Sequence, residues 1–199
     1  VVDDSGVVCW GNNYDGQIDF PRLRNPRQVS AGAYHTCALD DTGIVCMGYN
    51  DYGQTDVPLN NPILTSAGLY HSCAIDDSGV FCWGYNSLGQ TSVPEELSQP
   101  VQVASAYSHT CAIDDSGVVC WGNNGNGQTD VPSLDAPRQV GAGQWHTCAL
   151  DDSGVDCWGY NGDGQGDVPT LNNPTQLSVG YRHSCAVDDS GVQCWGYNE

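Results

Sequence analysis

The five histidines of the chain are the first residues that could do chemistry, since an imidazole can bind a metal or carry a proton. Each begins a copy of the string His-Thr/Ser-Cys-Ala, at His35, His71, His109, His146 and His183. Residues that recur once per repeat should form a ring rather than a cluster, so a structural hydrogen bond is favoured over metal ligation. No Cys-x-x-Cys motif occurs, and no thiol near a lone histidine suggests a nucleophile. We therefore predict no metal site, no cofactor, no catalytic residue and no enzyme activity.

Loops rich in asparagine, aspartate and glycine are a second kind of candidate site, because calcium is bound by such oxygens. They span residues 12–16, 50–53, 86–89, 124–127 and 161–164. Only some contain a carboxylate, and none has EF-hand spacing. The recurring Asn and Gly are also the residues that tight turns need. Turns are the favoured interpretation, with calcium as the alternative, and the Asp-Asp pair of each unit is interpreted as a mostly solvated turn.

The composition limits the class of protein. The chain has 199 residues, 11 cysteines and a formal charge of −19. That charge argues against nucleic acid and anionic membranes as partners, and no apolar run approaches the roughly 18–20 residues that a membrane helix needs. The cysteine density predicts a secreted, extracellular or cell-surface protein. Because the chain begins at Val1 rather than at methionine, we expect a processed or excerpted chain.

One unit of 36–38 residues is repeated along the chain. The string Cys-Trp-Gly or its variant begins at Cys9, Cys46, Cys82, Cys120, Cys157 and Cys194. We therefore predict that residues 1–14 are the spare closing strand of a preceding hairpin. Residues 15–199 would form five tandem repeats, at 15–51, 52–87, 88–125, 126–162 and 163–199. Five units could close a ring, six could form if the first blade borrows a strand, and an open spiral is a third arrangement.

Each unit is predicted to contain four short strands. In the first unit these are residues 28–32, 35–39, 44–46 and 54–57, and the last is stopped by Pro58. No stretch has helical periodicity of useful length. Four short strands in each repeat of about 40 residues are typical of a β-propeller blade. The predicted fold is therefore all-β: a propeller of short four-stranded blades, with about five units and an N-terminal extra strand.

The hairpin register follows from the pattern of burial. The residue after the turn glycine is always Val or Ile, and the residue after that varies freely, so the first faces the core. A four-residue loop opposes Leu39 to the buried Ile44 and Cys37 to Cys46. A three-residue loop would oppose Leu39 to the variable Val45 and would put the two cysteines on opposite faces. The burial pattern favours the four-residue loop.

Directly opposed side chains in this register lie close to the range that a disulfide bridges. The predicted pairs are Cys37–Cys46, Cys73–Cys82, Cys111–Cys120, Cys148–Cys157 and Cys185–Cys194. A bond between blades, such as Cys46–Cys73, is the alternative. Cys9 is left unpaired or intermolecular, because its hairpin partner would precede Val1. A free strand edge with a free thiol is a physical route to polymers.

These motifs resemble a known repeat family. The string Gly-x-x-His-Thr-Cys-Ala-Leu, an acidic turn with glycine, and Cys-Trp-Gly-x-Asn-x-x-Gly-Gln together resemble the regulator of chromosome condensation repeat. They are most similar to the cysteine-bearing type of secreted bacterial proteins, in which a relative that inhibits β-lactamase resembles a propeller gripping an enzyme with aromatic loops. Closed propellers of the family usually have seven blades, more than this chain supplies, and Met47 replaces the motif tryptophan once.

The most variable positions flank the motif histidine. Large variation on a constant framework, rich in Tyr, Trp and Arg, is the composition of a recognition surface. The resemblance to an aromatic-loop inhibitor supports the same interpretation. The predicted binding residues are Tyr34, Tyr70, Tyr107, Trp145, Tyr181 and Arg182. The alternative is that large aromatic residues only cover the blade ends.

The leading functional prediction is a secreted, non-catalytic repeat scaffold that binds a protein or a glycan through aromatic loops on one face. The alternative is a structural subunit of an extracellular fibre or surface assembly, in which copies of the chain join through the incomplete N-terminal hairpin. The resemblance also implies an exchange factor for a small GTPase. That role is disfavoured because it is intracellular and this chain is rich in cysteine.

Overall fold

A computed structural model of the protein describes residues 1–3, 6–59 and 61–198. Every regular element within these ranges is a β-strand. The described residues accordingly contain no helix of the length and apolarity needed to cross a membrane. The chain is all-β, as the turn and strand patterns predict. It opens with a two-stranded hairpin, β1 (Val2–Asp3) and β2 (Gly6–Val7), and continues as five separate sheets.

Each of the five sheets is an antiparallel meander of three strands, which we call the inner, middle and outer strands of units 1 to 5. The inner strands are β3 (Gln28–Ala31), β6 (Leu64–Ala67), β9 (Gln102–Ser105), β12 (Gln139–Ala142) and β15 (Gln176–Val179). The middle strands are β4 (His35–Asp40), β7 (His71–Asp76), β10 (His109–Asp114), β13 (His146–Leu150) and β16 (His183–Asp188). The outer strands are β5 (Gly43–Gly48), β8 (Gly79–Gly84), β11 (Gly117–Gly122), β14 (Val155–Gly159) and β17 (Gly191–Gly196). Each sheet lies within one predicted repeat, whose boundaries fall in loops and stay a prediction.

The inner strands of all five units end at one central cavity of about 280 Å³. Backbone bonds join neighbouring units there: Ala33 N–H donates to the Gly68 carbonyl at 3.2 Å, and Gln144 N–H donates to the Tyr181 carbonyl at 2.8 Å. A side chain at Gly32 would collide with the Gly68 carbonyl, so glycine is required for this approach. Small sheets arranged around a central cavity form a β-propeller, as predicted.

The units contain three strands rather than the predicted four. Residues 54 and 55 form a turn, and residues 56 and 57 are irregular rather than part of a strand. Asp56 N–H donates to the Gly53 carbonyl at 3.0 Å, and Thr55 N–H donates to the Asn50 side-chain oxygen at 2.9 Å. Because these backbone donors are satisfied within their own loop, they are not free to extend the sheet. The sequence pattern was misleading here because the Asn and Gln side chains close the loop on itself.

The hairpin register is the predicted one. Cys37 lies opposite Cys46 and Leu39 opposite Ile44, and the ladder continues to the turn glycine Gly43. The other four units repeat this register. Five disulfides join the opposed cysteines within each hairpin, with Cα atoms 4.0–4.1 Å apart. They are the pairs Cys37–Cys46, Cys73–Cys82, Cys111–Cys120, Cys148–Cys157 and Cys185–Cys194, and Cys9 is a free thiol.

The first aspartate of the Asp-Asp pair is not the solvated residue that the sequence suggested. Asp40, Asp114, Asp151 and Asp188 are buried. Each accepts hydrogen bonds from its own turn and from the loop that enters the unit, as Asp188 does from Asn172 N–H at 2.9 Å and Ser190 N–H at 2.8 Å. The bonds from Asn172 and then Ser190 hold the pKa of Asp188 below its ordinary value. The carboxylate therefore ties the turn to the incoming loop, and burial is tolerated because its oxygens are satisfied.

Successive units are joined through the motif histidines, which hydrogen-bond a hydroxyl of the next unit. The bonded pairs are His35–Ser72 at 2.7 Å, His71–Thr110 at 2.9 Å, His109–Thr147 at 2.9 Å and His146–Ser184 at 3.0 Å. The Ser72 hydroxyl itself donates to the Gln54 carbonyl at 2.8 Å, so the His35 Nε2–H is the donor. Burial lowers the pKa of His71 and His109 to about 3, and that of His35 and His146 to about 4. These four imidazoles are therefore neutral at neutral pH, and each serves as a structural hydrogen-bonding group.

The apolar core lies between units rather than inside a single sheet. Cys73, Ile75 and Val80 of unit 2 pack against Val103 and Trp121 of unit 3. We call the surface of a unit that meets the next unit its leaving face, and the surface that meets the previous unit its entering face. Stability thus depends on contacts between neighbouring repeats, as in other repeat arrays.

Candidate binding face

A repeated backbone bond brings two side chains of each unit together at one end of the blade. The residue before the motif histidine accepts a hydrogen bond from the residue that follows the outer strand. The donor and acceptor pairs are Tyr49–Tyr34, Tyr85–Tyr70, Asn123–Ser108, Tyr160–Trp145 and Tyr197–Arg182, at 2.8–3.0 Å. The backbone frame is the same in every unit, and only the side chains that it presents differ. This end of the propeller is therefore where the variable positions are displayed.

Five tyrosines form one contiguous group on this end of units 1 and 2. We call Tyr34, Tyr49, Tyr52, Tyr70 and Tyr85 the tyrosine cluster. Tyr34 stacks on Tyr70 with ring centroids 5.4 Å apart and planes 9° apart, and Tyr52 contacts Tyr85 at 4.7 Å. Tyr52 also lies 5.3 Å from Tyr70 in an edge-on contact. Tyr34 and Tyr52 remain 42% and 45% exposed. The cluster is thus a preformed aromatic surface that is open to solvent.

The tyrosine cluster is not required to build the blade. At the positions of Tyr34, Tyr49 and Tyr52, unit 3 and the loop that follows its outer strand have Ser108, Asn123 and Asn126. Its Asn123–Ser108 backbone bond is 2.9 Å long, the same as the Tyr49–Tyr34 bond. A unit without these aromatic residues therefore has the same local backbone, which argues that the aromatic side chains serve something other than folding.

Two of the predicted binding residues belong to a different set. Tyr107 and Tyr181 precede the motif histidine by two positions rather than by one, and they line the central cavity. Their rings contact each other at 5.9 Å, although they come from units 3 and 5. Tyr181 is exposed and Tyr107 is half-buried. The predicted residues therefore divide between the mouth of the cavity and the blade ends.

The remaining two predicted residues are engaged with neighbours in units 4 and 5. Trp145 is half-buried and contacts Tyr160 edge-on at 5.5 Å. Arg182 donates two hydrogen bonds to Asp163, at 2.9 and 2.6 Å, and its guanidinium lies 4.4 Å from the centre of the Tyr197 ring. The hydrogen bonds that Arg182 donates to Asp163 raise the pKa of Arg182. None of the six predicted binding residues is fully buried.

Sequence reasoning missed half of the aromatic surface. The missed residues are Tyr49, Tyr52, Tyr85, Tyr160 and Tyr197. Four of them directly follow the Trp-Gly or Met-Gly of the outer strand, which is a position where tyrosine recurs in the sequence. That recurrence of tyrosine in the sequence indicates a second set of aromatic side chains on this face. It was overlooked because the segment was assigned to a turn or to a calcium loop.

The loop oxygens considered as calcium ligands are used within their own turns. The Asn50 side chain donates to Asp56 at 2.9 Å and accepts from Thr55 N–H at 2.9 Å. The same pattern occurs at Asn124. Among residues 1–3, 6–59 and 61–198, no three His, Cys, Asp or Glu side chains are grouped so that they could hold a metal ion. Hydrogen bonds within the loops therefore account for these Asn side chains.

Several solved structures are similar to this chain. The chain is similar to the CRINKLY WD40 ectodomain of the receptor kinase ACR4 from Arabidopsis thaliana (25% identity, TM-score 0.73), covering 96% of this chain and 73% of that one. It is also similar to the entire ectodomain of the receptor kinase CR4 from Physcomitrella patens (26% identity, TM-score 0.78), covering 95% and 55%. Yeast RCC1 (Prp20), solved bound to Kap60, is 19% identical with a TM-score of 0.72, covering 86% and 56%. This chain thus spans only part of the length of each of these proteins.

Curated protein sequences contain no significant match to the chain. The Regulator of chromosome condensation (RCC1) repeat, by contrast, matches five segments: residues 27–54, 63–90, 101–128, 138–165 and 175–199. Each segment begins just before or at an inner strand and ends at or near the glutamine loop after the outer strand, except for the last, which ends with the chain. The matches cover more than half of the chain and coincide with the five structural units. The chain therefore belongs to the regulator of chromosome condensation (RCC1) repeat family.

Proposed function

We propose that the protein is a non-catalytic, extracellular interaction domain that binds a positively charged segment of a partner protein on the tyrosine cluster. The observation that carries this proposal is the exposure of a preformed cluster of five tyrosines on a backbone frame whose hydrogen bond unit 3 forms without them. Exposed aromatic residues of this kind supply large contact areas at low conformational cost, and they dominate many protein interfaces.

A protein partner is supported by the family and by its similar structures. The plant neighbours are ectodomains of receptor kinases, and Prp20p from Saccharomyces cerevisiae has binding properties towards Gsp1p and histones. An extracellular setting is supported by the five hairpin disulfides, since such bonds persist in oxidising compartments.

A cationic segment is the favoured partner because both the rings and the charge of this chain suit it. Tyrosine faces attract lysine and arginine side chains through their ring quadrupoles. The formal charge of −19 would attract a basic partner over a distance and accelerate encounter. Asp51, at the edge of the cluster, accepts a hydrogen bond from the Tyr49 hydroxyl at 3.0 Å, and this bond raises the pKa of Tyr49 to about 12. The cluster therefore combines neutral rings with a charged carboxylate.

The non-catalytic assignment rests on where the candidate acids and bases lie. His35, His71, His109 and His146 are fully buried, and the Nε2 atom of each is hydrogen-bonded to a hydroxyl of the next unit. Ten cysteines are in disulfides. These groups are committed to structure and repeat in each unit, so no asymmetric acid–base pair remains among them.

Selection of peptides from a displayed random library tests the proposal. The library is panned on the wild-type protein and counter-selected on a variant with Tyr34→Ser, Tyr52→Ser and Tyr70→Ser. We expect arginine- or lysine-rich peptides that bind the wild type and lose affinity at least about tenfold for the variant, a difference of about 1.4 kcal/mol. A matched control with Trp145→Ser and Tyr160→Ser alters the aromatic pair of unit 4 and should keep full affinity.

Three results would contradict the proposal. The first is that the selected peptides bind the wild type and the triple variant with equal affinity. The second is that acidic or uncharged peptides are enriched instead of basic ones. The third is that panning enriches no peptide at all. Binding of oligosaccharides on a glycan array, if lost in the triple variant, would assign the same face to a glycan and would reject the protein partner. Circular dichroism and the melting temperature of each variant verify that its fold is intact.

A further inference from the structure

One position of the repeat, directly after the Trp-Gly or Met-Gly motif, is filled in two different ways. It is asparagine or tyrosine, at Asn12, Tyr49, Tyr85, Asn123, Tyr160 and Tyr197. Tyr49 belongs to the tyrosine cluster, and its ring centroid lies 5.7–6.3 Å from those of three other members. The bonds that asparagine makes at this position show what the loop of Tyr49 loses by carrying tyrosine.

Asparagine at this position is a structural residue. The Asn123 side-chain oxygen accepts a hydrogen bond from Gly125 N–H at 2.7 Å and another from Gln128 Nε2 at 3.3 Å. Asn12 accepts the same two kinds of bond in the loop that follows it, at 2.9 and 3.3 Å. Gln128 is 0% exposed, so its amide depends on partners within the protein. The asparagine therefore closes the loop and satisfies the buried glutamine.

Tyr49 has no side-chain oxygen near its backbone to accept these bonds, and a buried donor in its loop is left over. Gln54 is 0% exposed, and its Nε2 has no hydrogen-bond partner among the described residues. The Gln54 Oε1 accepts a bond from Tyr52 N–H at 3.1 Å, just as the Gln128 Oε1 does from Asn126 N–H at 2.8 Å. Because the two amides are held in the same way, the Gln54 Nε2 faces the position that Tyr49 occupies. Leaving this donor unpaired lowers stability.

Tyr49 makes a different bond, which lies on the exposed side of the loop. Its hydroxyl donates to the Asp51 carboxylate at 3.0 Å, and Asp51 is exposed. This bond holds a negative charge beside the rings of the tyrosine cluster. The loop after the outer strand of unit 3 has Gly125 at the position of Asp51, so it offers neither the ring nor the charge. A fixed carboxylate next to aromatic faces suits a guanidinium or an ammonium group, which can bond to the first and stack on the second.

We propose that Tyr49 positions the Asp51 carboxylate for one arginine or lysine side chain of the partner segment, and that the protein keeps this tyrosine at a cost in stability. This role rests on the function proposed above and adds to it the pair of residues that takes the positive charge. Tyr49 replaces the acceptor that Asn123 supplies in unit 3, and its own bond goes to an exposed carboxylate and satisfies no buried group. Natural proteins depart from local hydrogen-bonding rules mainly at functional sites.

Exchange of the two residue types between units tests the cost in stability. Tyr49→Asn supplies the missing acceptor for the Gln54 Nε2 and should raise the melting temperature by about 2–4 °C. The same variant should bind the basic peptide selected on the wild type at least about fivefold more weakly. Asn123→Tyr is the matched control. It removes the acceptor for Gln128 in unit 3, so it should lower the melting temperature and leave the affinity for the peptide unchanged.

A second variant tests the positioning of the carboxylate. Tyr49→Phe keeps the ring and removes only the bond to Asp51, so its melting temperature should stay within about 2 °C of the wild type. The readout is the affinity for the selected peptide compared with the same peptide in which citrulline, which is neutral and of similar shape, replaces arginine. We expect the wild type to prefer arginine, and we expect this preference to fall at least about threefold in Tyr49→Phe and in Asp51→Asn. A purely structural role of Tyr49 would leave the preference unchanged.

The role of Tyr49 and the proposed function can fail separately. A melting temperature of Tyr49→Asn that is equal to or below that of the wild type would overturn the cost in stability. An unchanged preference for arginine in Tyr49→Phe would overturn the positioning role. The variant with Tyr34→Ser, Tyr52→Ser and Tyr70→Ser keeps Tyr49, so loss of the peptide in that variant with full affinity in Tyr49→Asn would reject only the role of Tyr49. If no peptide is selected at all, the proposed function and this role are both rejected.

Discussion

The buried junctions between units and the tyrosine-bearing blade ends differ in how much their residues vary from one unit to the next. At the junctions, the same residues recur in each unit and lose their exposure, as His71 does against Thr110. At the blade ends, one constant backbone bond presents tyrosine in units 1 and 2 and serine with asparagine in unit 3. Repetition is therefore the mark of residues that build the array. Departure from repetition marks the residues that are free to serve binding.

The largest effect of a single substitution is expected from breaking one internal junction. His109→Ala removes the hydrogen bond to Thr147 and leaves a cavity in a site with no exposure. We expect a loss of about 2–4 kcal/mol in the free energy of unfolding, measured by urea denaturation. The control is His183→Ala at the same position of unit 5. There the imidazole is exposed in the described part of the chain, and the change should stay within about 0.5 kcal/mol. Equal losses in the two variants would contradict the role assigned to the junctions.

Acid should weaken the junctions before it affects the carboxylates of the turns. Burial lowers the pKa of four histidines from 6.5 to about 3 or 4, so the unfolded chain binds protons that the folded chain does not. Stability contributed by these residues is fully present above pH 6.5 and falls as the pH decreases towards 4. At pH 5 the loss should be roughly 2 kcal/mol for each histidine. Urea denaturation at pH 7 and pH 5 measures it, and His109→Ala should reduce the difference. A constant stability over this range would contradict the prediction.

A smaller effect is expected at the Asp-Asp turns. Asp114 is buried and accepts hydrogen bonds from Ser98 and Ser116 N–H at 2.9 and 2.7 Å. Asp114→Ala leaves these donors unsatisfied and should cost about 1–2 kcal/mol in the free energy of unfolding. The neighbouring Asp115 is exposed, and Asp115→Ala should change stability by less than about 0.5 kcal/mol. Equal losses of unfolding free energy in the two variants would mean that Asp114, like Asp115, is a solvated turn residue.

The smallest effect on stability is expected in the tyrosine cluster. Tyr52→Ser removes an exposed ring and three aromatic contacts, to Tyr49, Tyr70 and Tyr85. Because unit 3 keeps the same backbone bond with Asn126 at the equivalent position, the loss should be below about 1 kcal/mol. Thermal unfolding measures it. A loss as large as that of His109→Ala would mean that the tyrosines are part of the core, and the contrast between the two regions would disappear.

Much of the framework could be predicted because repetition acts as an internal alignment. The invariant Val or Ile after the turn glycine, beside a variable neighbour, was enough to choose the hairpin register and therefore the pairing of Cys37 with Cys46. The fourth strand could not be predicted in this way. Whether residues 54–57 pair with a sheet or with their own loop depends on the direction in which the Asn50 side chain points.

The candidate site was predicted only in part, for a related reason. The sequence does not distinguish the residue one position before the motif histidine from the residue two positions before it. In the structure, Tyr70 is one position before and lies at the blade end, whereas Tyr107 is two positions before and lines the cavity. The partners of Tyr34 and Tyr70 come from the loop after the outer strand, and only the Tyr49–Tyr34 and Tyr85–Tyr70 backbone bonds reveal that the two segments meet. Such proximity is a property of the folded blade and not of local sequence.

Calorimetric titration of the peptide selected on the wild-type protein tests the central claim most directly. The peptide is titrated into the wild type and into the variant with Tyr34→Ser, Tyr52→Ser and Tyr70→Ser. We predict a dissociation constant at least about tenfold weaker for the variant, corresponding to about 1.4 kcal/mol, at an unchanged disulfide content and with the Trp145→Ser and Tyr160→Ser control at full affinity. Equal affinity of the wild type and the triple variant would show that the tyrosine cluster is not the binding face.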